Sequence, residues 1–379
     1  FFSLKETTKI KANAEVLSQK FLNLMGEVTA AKAAEFKPDL ILALAQAPLS
    51  PEAIHRLKEL NIPVAFWFVE DFRVLPYWKE MSSAYDHFFT IQKDEFYPEL
   101  ISAGVKDCYY LPQAAHPTIH QPLKLSFEQK KLYKADLSFM GAAYHNRIQS
   151  FPRLLDLDFK IWGTGWDLNS PLGKRVQNHN ERVTTDETVK IYNAAKINLN
   201  LHSSLYHYGI NPDGDFVNPR TFEIASCKGF QLLDSRSDLS NLFNVSEELV
   251  VFNSFEELKD QFNFYISNPK LRSEIANRSY QRVLAEHTIE HRMQELLIHV
   301  FINRFDSLKK NQMSRLDPLS YCIEKAGKNT TLGKYLEKFE GTKNFSLKTL
   351  AAHIHKGKGD LDDNETLLMM MDQLMQEEV

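Results

Sequence analysis

Acidic side chains follow an apolar run in the first third of the chain. Residues 63–69 (PVAFWFV) are apolar without a break, and Glu70 and Asp71 come directly after them. Such a run predicts a strand that is buried on both faces of a parallel sheet. Ligands of open α/β sheets bind beyond the carboxyl ends of the strands, so Glu70 or Asp71 could act as a general base toward a hydroxyl group. The residue types fit a turn or helix cap with a solvated neighbour equally well.

Glycine, basic and polar residues near the ends of later apolar runs form a second group of candidates. Glycines let a backbone approach a ligand closely, and arginines could neutralise a diphosphate. Each glycine alone predicts only a turn, and an isolated histidine is more often structural than functional. The prediction depends on the convergence of these residues at one edge of one sheet. The ligand-binding candidates are Gly141, Arg147, Gly163, Thr164, His202, Asn218, Arg220, Thr221 and Glu223.

A helix is predicted to begin at Pro219, a residue suited to a first helical turn because it has no N–H to leave unpaired. The free N–H groups and positive dipole end of the helix predict an anion site, which Arg220 reinforces. Glu223 lies one turn further on, where burial is costly unless the carboxylate meets a partner such as ribose hydroxyls or an arginine. The alternative is an Arg220–Glu223 surface pair at i, i+3, which contributes roughly a few tenths of a kcal/mol. The residues alone leave both interpretations open.

Apolar runs of strand length alternate with helical patterns over most of the chain. This alternation predicts parallel, doubly wound sheets, because parallel strands require long crossover connections. Gly229, just after the helix predicted from Pro219, stands at the position of a C-cap glycine. The first segment, from about Ser3 to Phe36, has a helical pattern, which predicts that the first domain lacks its opening strand and that the native chain begins further upstream. The predicted strands are 39–45, 63–69, 86–91, 108–111, 136–141, 159–163, 197–201, 230–234 and 248–252.

The alternation falls into two parts that a polar stretch separates. Residues 1–120 predict a first Rossmann-like domain, 121–135 a linker and 136–307 a second Rossmann-like domain. Residues 308–379 are more polar and predict a helical extension, whose helices could carry an oligomer contact. The length of 379 residues agrees with two α/β domains and an appendage.

Composition and motif content exclude several classes of protein. The formal net charge is −4, and Lys and Arg form no dense cluster, so nucleic acid is not a predicted partner. The three cysteines are far apart and lack metal-ligand spacing, which predicts reduced thiols and a cytoplasmic location. No apolar run approaches the roughly 20 residues that a membrane span needs. The sequence contains no HExxH, paired CxxC or Walker motif, so neither a metal site nor an organic cofactor is predicted.

Several segments resemble the CgeB-like glycosyltransferases, relatives of the group-one GT-B family. The segment NPRTFEIASCKGFQLLD at 218–234 is similar to the donor-site segment of that family. The resemblance runs from about residue 37 to 297 and implies the GT-B architecture, with two Rossmann-like domains facing a cleft. The other similar segments are WFVED (67–71), DHFFT (86–90), YLPQAAHP (110–117), SFMGAAYHNR (138–147), IWGTGW (161–166), YNAAKINLNLH (192–202) and AEHTIEHRMQELL (285–297).

The resemblance implies roles for residues around the predicted helix at Pro219. In the group-one family two glutamates eight positions apart contact the donor sugar and the ribose; Glu223 matches the second. Asp215 stands where the family has the first, and would inherit the sugar contact. The family meets the diphosphate with basic side chains and glycine-rich backbone, which implies Arg220, Gly141 and Arg147.

The resemblance also implies a reaction, the transfer of a sugar from a nucleotide-diphosphate sugar to an unidentified hydroxyl acceptor. The family's catalytic loop coincides with Glu70 and Asp71, although its usual histidine is missing here. The catalytic candidates are therefore Asp71, Glu70 and Asp215. Arg220 and the helix start would take the leaving-group charge without a metal. Two alternatives stay open: a GT-B nucleotide-sugar epimerase or hydrolase, which needs no acceptor, and an inactive sugar-nucleotide-binding or scaffold protein.

Overall fold

The computed structural model of the chain describes residues 8, 10–314, 317–342 and 344–377. The chain divides into two compact units, Phe1–His299 and Val300–Val379. The first unit contains two separate parallel sheets with helices, as the alternation of apolar runs predicts. Ser3, where the sequence predicts the first helix to begin, lies outside the described residues.

The first sheet has four parallel strands in the order β1-β2-β3-β4. Its second strand is buried along its whole length, as its unbroken apolar sequence predicts. Aromatic side chains fill the adjoining core: Phe72 stacks on Phe96 with 4.3 Å between ring centroids, and Trp78 meets Phe96 edge-on. The elements are α1 (Lys11–Phe36), β1 (Ile41–Leu44), α2 (Pro51–Glu59), β2 (Val64–Phe68), α3 (Trp78–Met81), β3 (His87–Thr90), α4 (Phe96–Ser102) and β4 (Cys108–Tyr110).

The segment between the sheets, predicted as a linker at 121–135, contains a helix, α5 (Phe127–Tyr133). Ser126 and Gln129 form a capping box at its start. No residue of this helix is buried, so its sequence lacks the apolar stripe by which a helix is recognised. The predicted domain boundaries stay predictions; the sheets themselves occupy residues 41–110 and 137–252.

The second sheet has five parallel strands in the order β6-β5-β7-β8-β9. Its central strands β7 and β8 are buried at every residue, and a large apolar core lies between the sheet and its helices. The elements are β5 (Leu137–Met140), α6 (His145–Ser150), β6 (Phe159–Trp162), α7 (Thr185–Ala194), β7 (Ile197–Asn200), α8 (Pro219–Ser226), β8 (Gln231–Asp234), α9 (Leu239–Leu242), β9 (Val250–Phe252), α10 (Phe255–Ser267) and α11 (Pro269–Glu286).

The end of α8 differs from the sequence prediction. Lys228, with φ 57°, takes the left-handed conformation that was expected of Gly229. The Gly229 N–H bonds to the Ile224 carbonyl and the Lys228 N–H to the Ala225 carbonyl, which is the Schellman pattern. A side chain at Gly229 would lie 3.0 Å from both Asn198 Nδ2 and Ile224 Cγ2. Close packing of α8 against β7 therefore accounts for this glycine.

Helix α12 (Ile289–Ser314) begins in the first unit, where its residue His299 hydrogen-bonds to Asp107. His87 bonds to the same carboxylate, so Asp107 joins this helix to the amino ends of β3 and β4. In the second unit the helices pack around a core of their own. None of the helices in the described part of the chain is both long and apolar enough to cross a membrane. The remaining helices are α13 (Pro318–Ala326), α14 (Thr331–Glu337), α15 (Leu347–Lys356) and α16 (Asp363–Glu377).

Candidate functional site

A cavity of about 640 Å³ opens at the carboxyl edge of the second sheet. Its walls come from the end of β5, from the loop that leads into α7, from α7 itself and from the first turns of α8. Basic and hydroxyl-bearing side chains dominate, a composition suited to an anionic and hydroxylated ligand. The lining residues are His120, Met140, Arg182, Val183, Thr184, Thr185, Thr188, Tyr192, Pro219, Arg220 and Glu223.

Arg220 and Glu223, two of the predicted ligand-binding residues, lie together on the wall of this cavity. Within the described chain, no hydrogen bond or ion pair holds the Arg220 side chain, so the surface pair with Glu223 does not form. An arginine beside a helix start, with its donors unoccupied, is a strong receptor for a phosphate group. The first turn of α8 therefore presents one unpaired cation to the cavity.

Glu223 lies between two residues that sequence reasoning did not select, Tyr192 and His120. The Tyr192 hydroxyl is 3.5 Å from one Glu223 oxygen, and His120 Nε2 is 3.9 Å from the other. Burial raises the pKa of Tyr192 well above its ordinary value. Burial also lowers the pKa of His120, although the Glu223 charge opposes that shift. Both neighbours are thus uncharged at neutral pH, and the Glu223 carboxylate keeps acceptor capacity for ligand hydroxyls.

Asn218 and Thr221 hold the start of α8 rather than line the cavity. The Asn218 side chain caps the helix by accepting a hydrogen bond from the Thr221 N–H at 3.2 Å. Asn200 at the end of β7 bonds to both: it accepts from Asn218 Nδ2 at 2.8 Å and donates to Thr221 Oγ1 at 2.9 Å. All three residues are buried. They fix where the helix begins, and with it the direction of Arg220.

Gly141 and Gly163 lie at the carboxyl ends of β5 and β6, where their loops pack against each other. A Cβ on Gly163 would lie 2.2 Å from the Gly141 carbonyl oxygen, and Gly163 has φ 137°. Trp166 Nε1 donates to that same carbonyl at 3.1 Å, and the Ala143 N–H donates to the Thr164 carbonyl at 3.0 Å. The glycines therefore serve the close approach of two loops, and the Thr164 side chain is exposed.

Arg147, predicted to meet a diphosphate, is fully buried in the structure. Its guanidinium donates to the Ala142 carbonyl at 3.0 Å and the Leu201 carbonyl at 2.8 Å, and it lies 4.9 Å from the Phe139 ring centroid. Burial lowers the pKa of Arg147 to about 9. Both terminal nitrogens of Arg147 donate to backbone carbonyls, and these bonds hold its side chain beneath the loop that follows β5.

His202 is also buried, and it belongs to a network that includes Asp234 and Arg236. Its Nδ1 bonds to Asp234 at 2.7 Å, and its Nε2 accepts a hydrogen bond from the Asn218 N–H at 2.9 Å. Arg236 donates to the second oxygen of Asp234 at 2.5 Å. Burial lowers the pKa of His202 to about 4, so the ring is neutral at pH 7. His202 does not line the cavity, and it contacts the start of α8 through the Asn218 N–H.

Asp71 and Asp215, from different sheets, lie next to each other around Arg73 and Gln92. The Arg73 guanidinium lies 3.3 Å from Asp215 Oδ2 and 3.8 Å from Asp71 Oδ1. Gln92 Nε2 donates to Asp215 at 3.0 Å and to Asp71 at 3.4 Å. All of these residues follow strands at the carboxyl edges of the two sheets. The structure thus brings two of the three catalytic candidates together.

Glu70, the third catalytic candidate, points elsewhere. One oxygen accepts from Gln46 Nε2 and the other from the Tyr77 hydroxyl, each at 2.6 Å. Burial and the nearby Glu70 charge raise the pKa of Tyr77, which therefore remains a hydrogen-bond donor at neutral pH. Gln46 and Tyr77 line a different cavity, of about 490 Å³, in the first domain. Both oxygens of Glu70 therefore accept hydrogen bonds from residues of that domain.

Sequence reasoning missed Arg73, Arg182, Tyr192 and Asp234. Asp234 carried a usable signal, since it is the one acidic residue at the end of the apolar run FQLLD and so lies at the carboxyl end of a strand. Arg73 likewise follows Asp71 by two positions in a loop already selected. Arg182 and Tyr192 carried none, because nothing in their local sequence places them near α8.

The second domain matches a family model described as "Glycosyl transferase-like" over residues 145–298. Among curated proteins, the chain is 28% identical to the spore protein CgeB of Bacillus subtilis over 272 residues, which cover 67% of this chain and 80% of CgeB. The matched family segment contains the whole wall formed by α7 and α8.

Solved structures share the fold at low sequence identity. Sucrose-phosphate synthase from Thermosynechococcus elongatus has a TM-score of 0.54 and 13% identity, covering 76% of this chain and 80% of its own. The HepE protein of Anabaena, solved in complex with UDP and glucose, has a TM-score of 0.51 and 10% identity, covering 75% of this chain and 81% of its own. The resemblance to CgeB-like proteins and the predicted GT-B architecture are confirmed, and the chain is a glycosyltransferase with the GT-B fold.

Proposed function

We propose that this enzyme transfers a sugar from a nucleotide-diphosphate sugar to a hydroxyl acceptor, with the donor held in the cavity beside α8. The observation that carries the proposal is the unpaired Arg220 at the start of that helix, one turn from the half-buried Glu223. A diphosphate suits the first group and ribose hydroxyls suit the second. HepE of Anabaena, which shares the fold, binds UDP and glucose.

The diphosphate would lie between two cations. Arg220 extends from one wall of the cavity and Arg182 from another, where Thr184, Thr185 and Thr188 add hydroxyl groups. When the bond between the anomeric carbon and the phosphate oxygen breaks, negative charge develops on that oxygen. Arg220, Arg182 and the positive end of the α8 dipole would stabilise this charge without a metal. Metal independence is therefore part of the proposal.

The acceptor would enter where the two sheets approach each other. Asp71, beside Asp215 in the Arg73 cluster, is the group we assign to take the proton of the acceptor hydroxyl as the new C–O bond forms. Asp215 would contact the sugar from the second domain. The nucleotide base, the sugar and the acceptor are not named by these residues.

A thermal-shift screen of nucleoside diphosphates and nucleotide sugars tests the proposal and identifies the base. We expect the nucleotides of one base to raise the melting temperature of the wild-type protein. Glu223→Ala should reduce that increase in melting temperature. Glu256→Ala removes an exposed glutamate of the same domain and is the matched control. No shift with any nucleotide, or an unchanged shift in Glu223→Ala, would reject the proposed donor site.

A further inference from the structure

Asp234 is a fully buried carboxylate at the carboxyl end of β8. Its first oxygen accepts hydrogen bonds from the His202 backbone N–H at 2.8 Å and from His202 Nδ1 at 2.7 Å. Its second oxygen accepts from Arg236 Nη2 at 2.5 Å. A buried carboxylate is tolerated only when such partners are held in place, because removing a partner leaves an uncompensated charge. Asp234 thus fixes the position of two other side chains, those of His202 and Arg236, which contact different parts of the domain.

His202 links Asp234 to α8. Since Nδ1 donates its proton to Asp234, Nε2 is unprotonated and accepts the Asn218 N–H at 2.9 Å. Asn218 is the N-cap of α8, and Arg220 follows two residues later. The imidazole is therefore a rigid spacer between Asp234 and the first turn of the helix that carries the unpaired arginine.

Arg236 links Asp234 to the loop that carries Asp215. A Cβ on Gly214 would lie 1.6 Å from Arg236 Nη1, so the guanidinium fills the space that a side chain at 214 would need. The Gly214 carbonyl accepts from the Ser237 N–H at 3.0 Å, and the Asp215 carbonyl accepts from the Asp238 N–H at 3.2 Å. Arg236 therefore supports the backbone that presents Asp215 to the first domain.

We propose that Asp234 is a positioning residue that sets Arg220 through His202 and Asp215 through Arg236. One buried charge then fixes the phosphate-binding end of the donor site relative to its sugar-binding end. Neither His202 nor Arg236 lines the cavity, so both act through the groups that they hold. The inference rests on the proposed function. It implies that variants of His202 and of Arg236 affect the phosphate-binding end and the sugar-binding end of the donor site separately.

Two variants at position 202 test the link from Asp234 through His202 to the start of α8. His202→Asn retains an amide N–H for Asp234 but has no atom at the position of Nε2, whereas His202→Gln has an acceptor at that position but no donor for Asp234. The probe is the nucleoside diphosphate that binds wild-type protein best among UDP, GDP, ADP and TDP, titrated calorimetrically. We expect each variant to weaken its binding roughly fivefold, as expected for one hydrogen bond worth about 1 kcal/mol, because each breaks one of the two links that join Asp234 to Asn218.

Arg236→Met tests the link from Asp234 through Arg236 to the loop that carries Asp215. If that variant fails to fold, Gly214→Ala is a second variant, because its added methyl group displaces Arg236. We expect nucleoside diphosphate binding to stay within about twofold of wild type, and binding of the corresponding nucleotide sugar to weaken at least fivefold more. A general loss of structure would lower both affinities together, in step with the melting temperature.

The outcomes separate the inference from the proposed function. If wild-type protein binds none of the four nucleoside diphosphates, the proposed function fails. If wild-type protein binds one of them, the inference is overturned by unchanged affinity in either His202→Asn or His202→Gln, or by equal losses for nucleotide and nucleotide sugar in Arg236→Met and Gly214→Ala.

Discussion

Arg73 of the first domain lies 3.3 Å from Asp215 of the second, and this ion pair connects the carboxyl edges of the two sheets. Gln92 bonds to the same aspartate at 3.0 Å. Lys93 makes a parallel contact with Asp238 at 3.0 Å, so two acidic residues of the second domain are held by residues that follow β2 and β3. The candidate base Asp71 is part of this arrangement, which gives it a defined position opposite the donor domain.

Replacing Asp71 by asparagine should lower turnover while leaving donor affinity unchanged. General base catalysis contributes roughly 10²- to 10⁴-fold, and the amide preserves the side-chain shape. Glu70→Gln is the matched control, because both oxygens of Glu70 are occupied by Gln46 and Tyr77. Release of nucleoside diphosphate in the presence of acceptor measures the rate. Full activity in Asp71→Asn, or an equal loss in Glu70→Gln, would remove Asp71 from the base assignment.

Replacing Arg73 by methionine should change activity more than stability. Its side chain is 37% exposed, and exposed ion pairs contribute about 0–1 kcal/mol. We therefore expect the free energy of unfolding to fall by no more than about 1 kcal/mol, with a larger relative loss of turnover because Asp71 and Asp215 lose their shared cation. Denaturant titration and the nucleotide-release assay measure the two effects. A large loss of stability with normal turnover would show that the pair is only structural.

Much of the fold was predictable because its signals are local. The unbroken apolar run at 64–68 becomes a fully buried strand, and the helix at Pro219 begins where proline and an asparagine cap place it. Side-chain direction was not predictable in the same way. Arg147 and Arg220 both lie in the first turn of a helix, yet one is buried against carbonyls and the other faces the cavity. Only tertiary packing distinguishes them, since the residue type and the position in the helix are alike.

Acid should destabilise the protein between about pH 6.5 and pH 4. The pKa of His202 is about 4 in the folded protein against an ordinary 6.5, so the unfolded chain binds more protons in this window. Stability therefore falls as the pH drops, by about 3 kcal/mol at most from this group. His287, whose pKa is also about 4, adds to the slope. Unfolding of His202→Gln should depend less on pH than unfolding of wild type; parallel curves would contradict the buried neutral histidine.

Gly163→Ala should destabilise the protein by about 2 kcal/mol or more, through backbone strain and overlap with the Gly141 carbonyl. Gly341→Ala is the control for strain alone, because Gly341 has φ 84° and no atom of the described residues lies within 4 Å of an added Cβ. That variant should lose only about 1 kcal/mol. Thermal unfolding compares the two. Equal losses would show that the approach of the two loops is not the reason for glycine at 163.

Diphosphate binding by Arg220 is measured most directly by calorimetric titration of Arg220→Ala with the nucleoside diphosphate that binds wild-type protein best. Arg153→Ala removes a cation from the same domain at an exposed site and serves as the matched control. Loss of one charge-assisted contact of about 1.5–3 kcal/mol weakens binding roughly tenfold to a hundredfold. We expect that loss for Arg220→Ala, with wild-type affinity for Arg153→Ala. Wild-type affinity in Arg220→Ala would contradict diphosphate binding by Arg220.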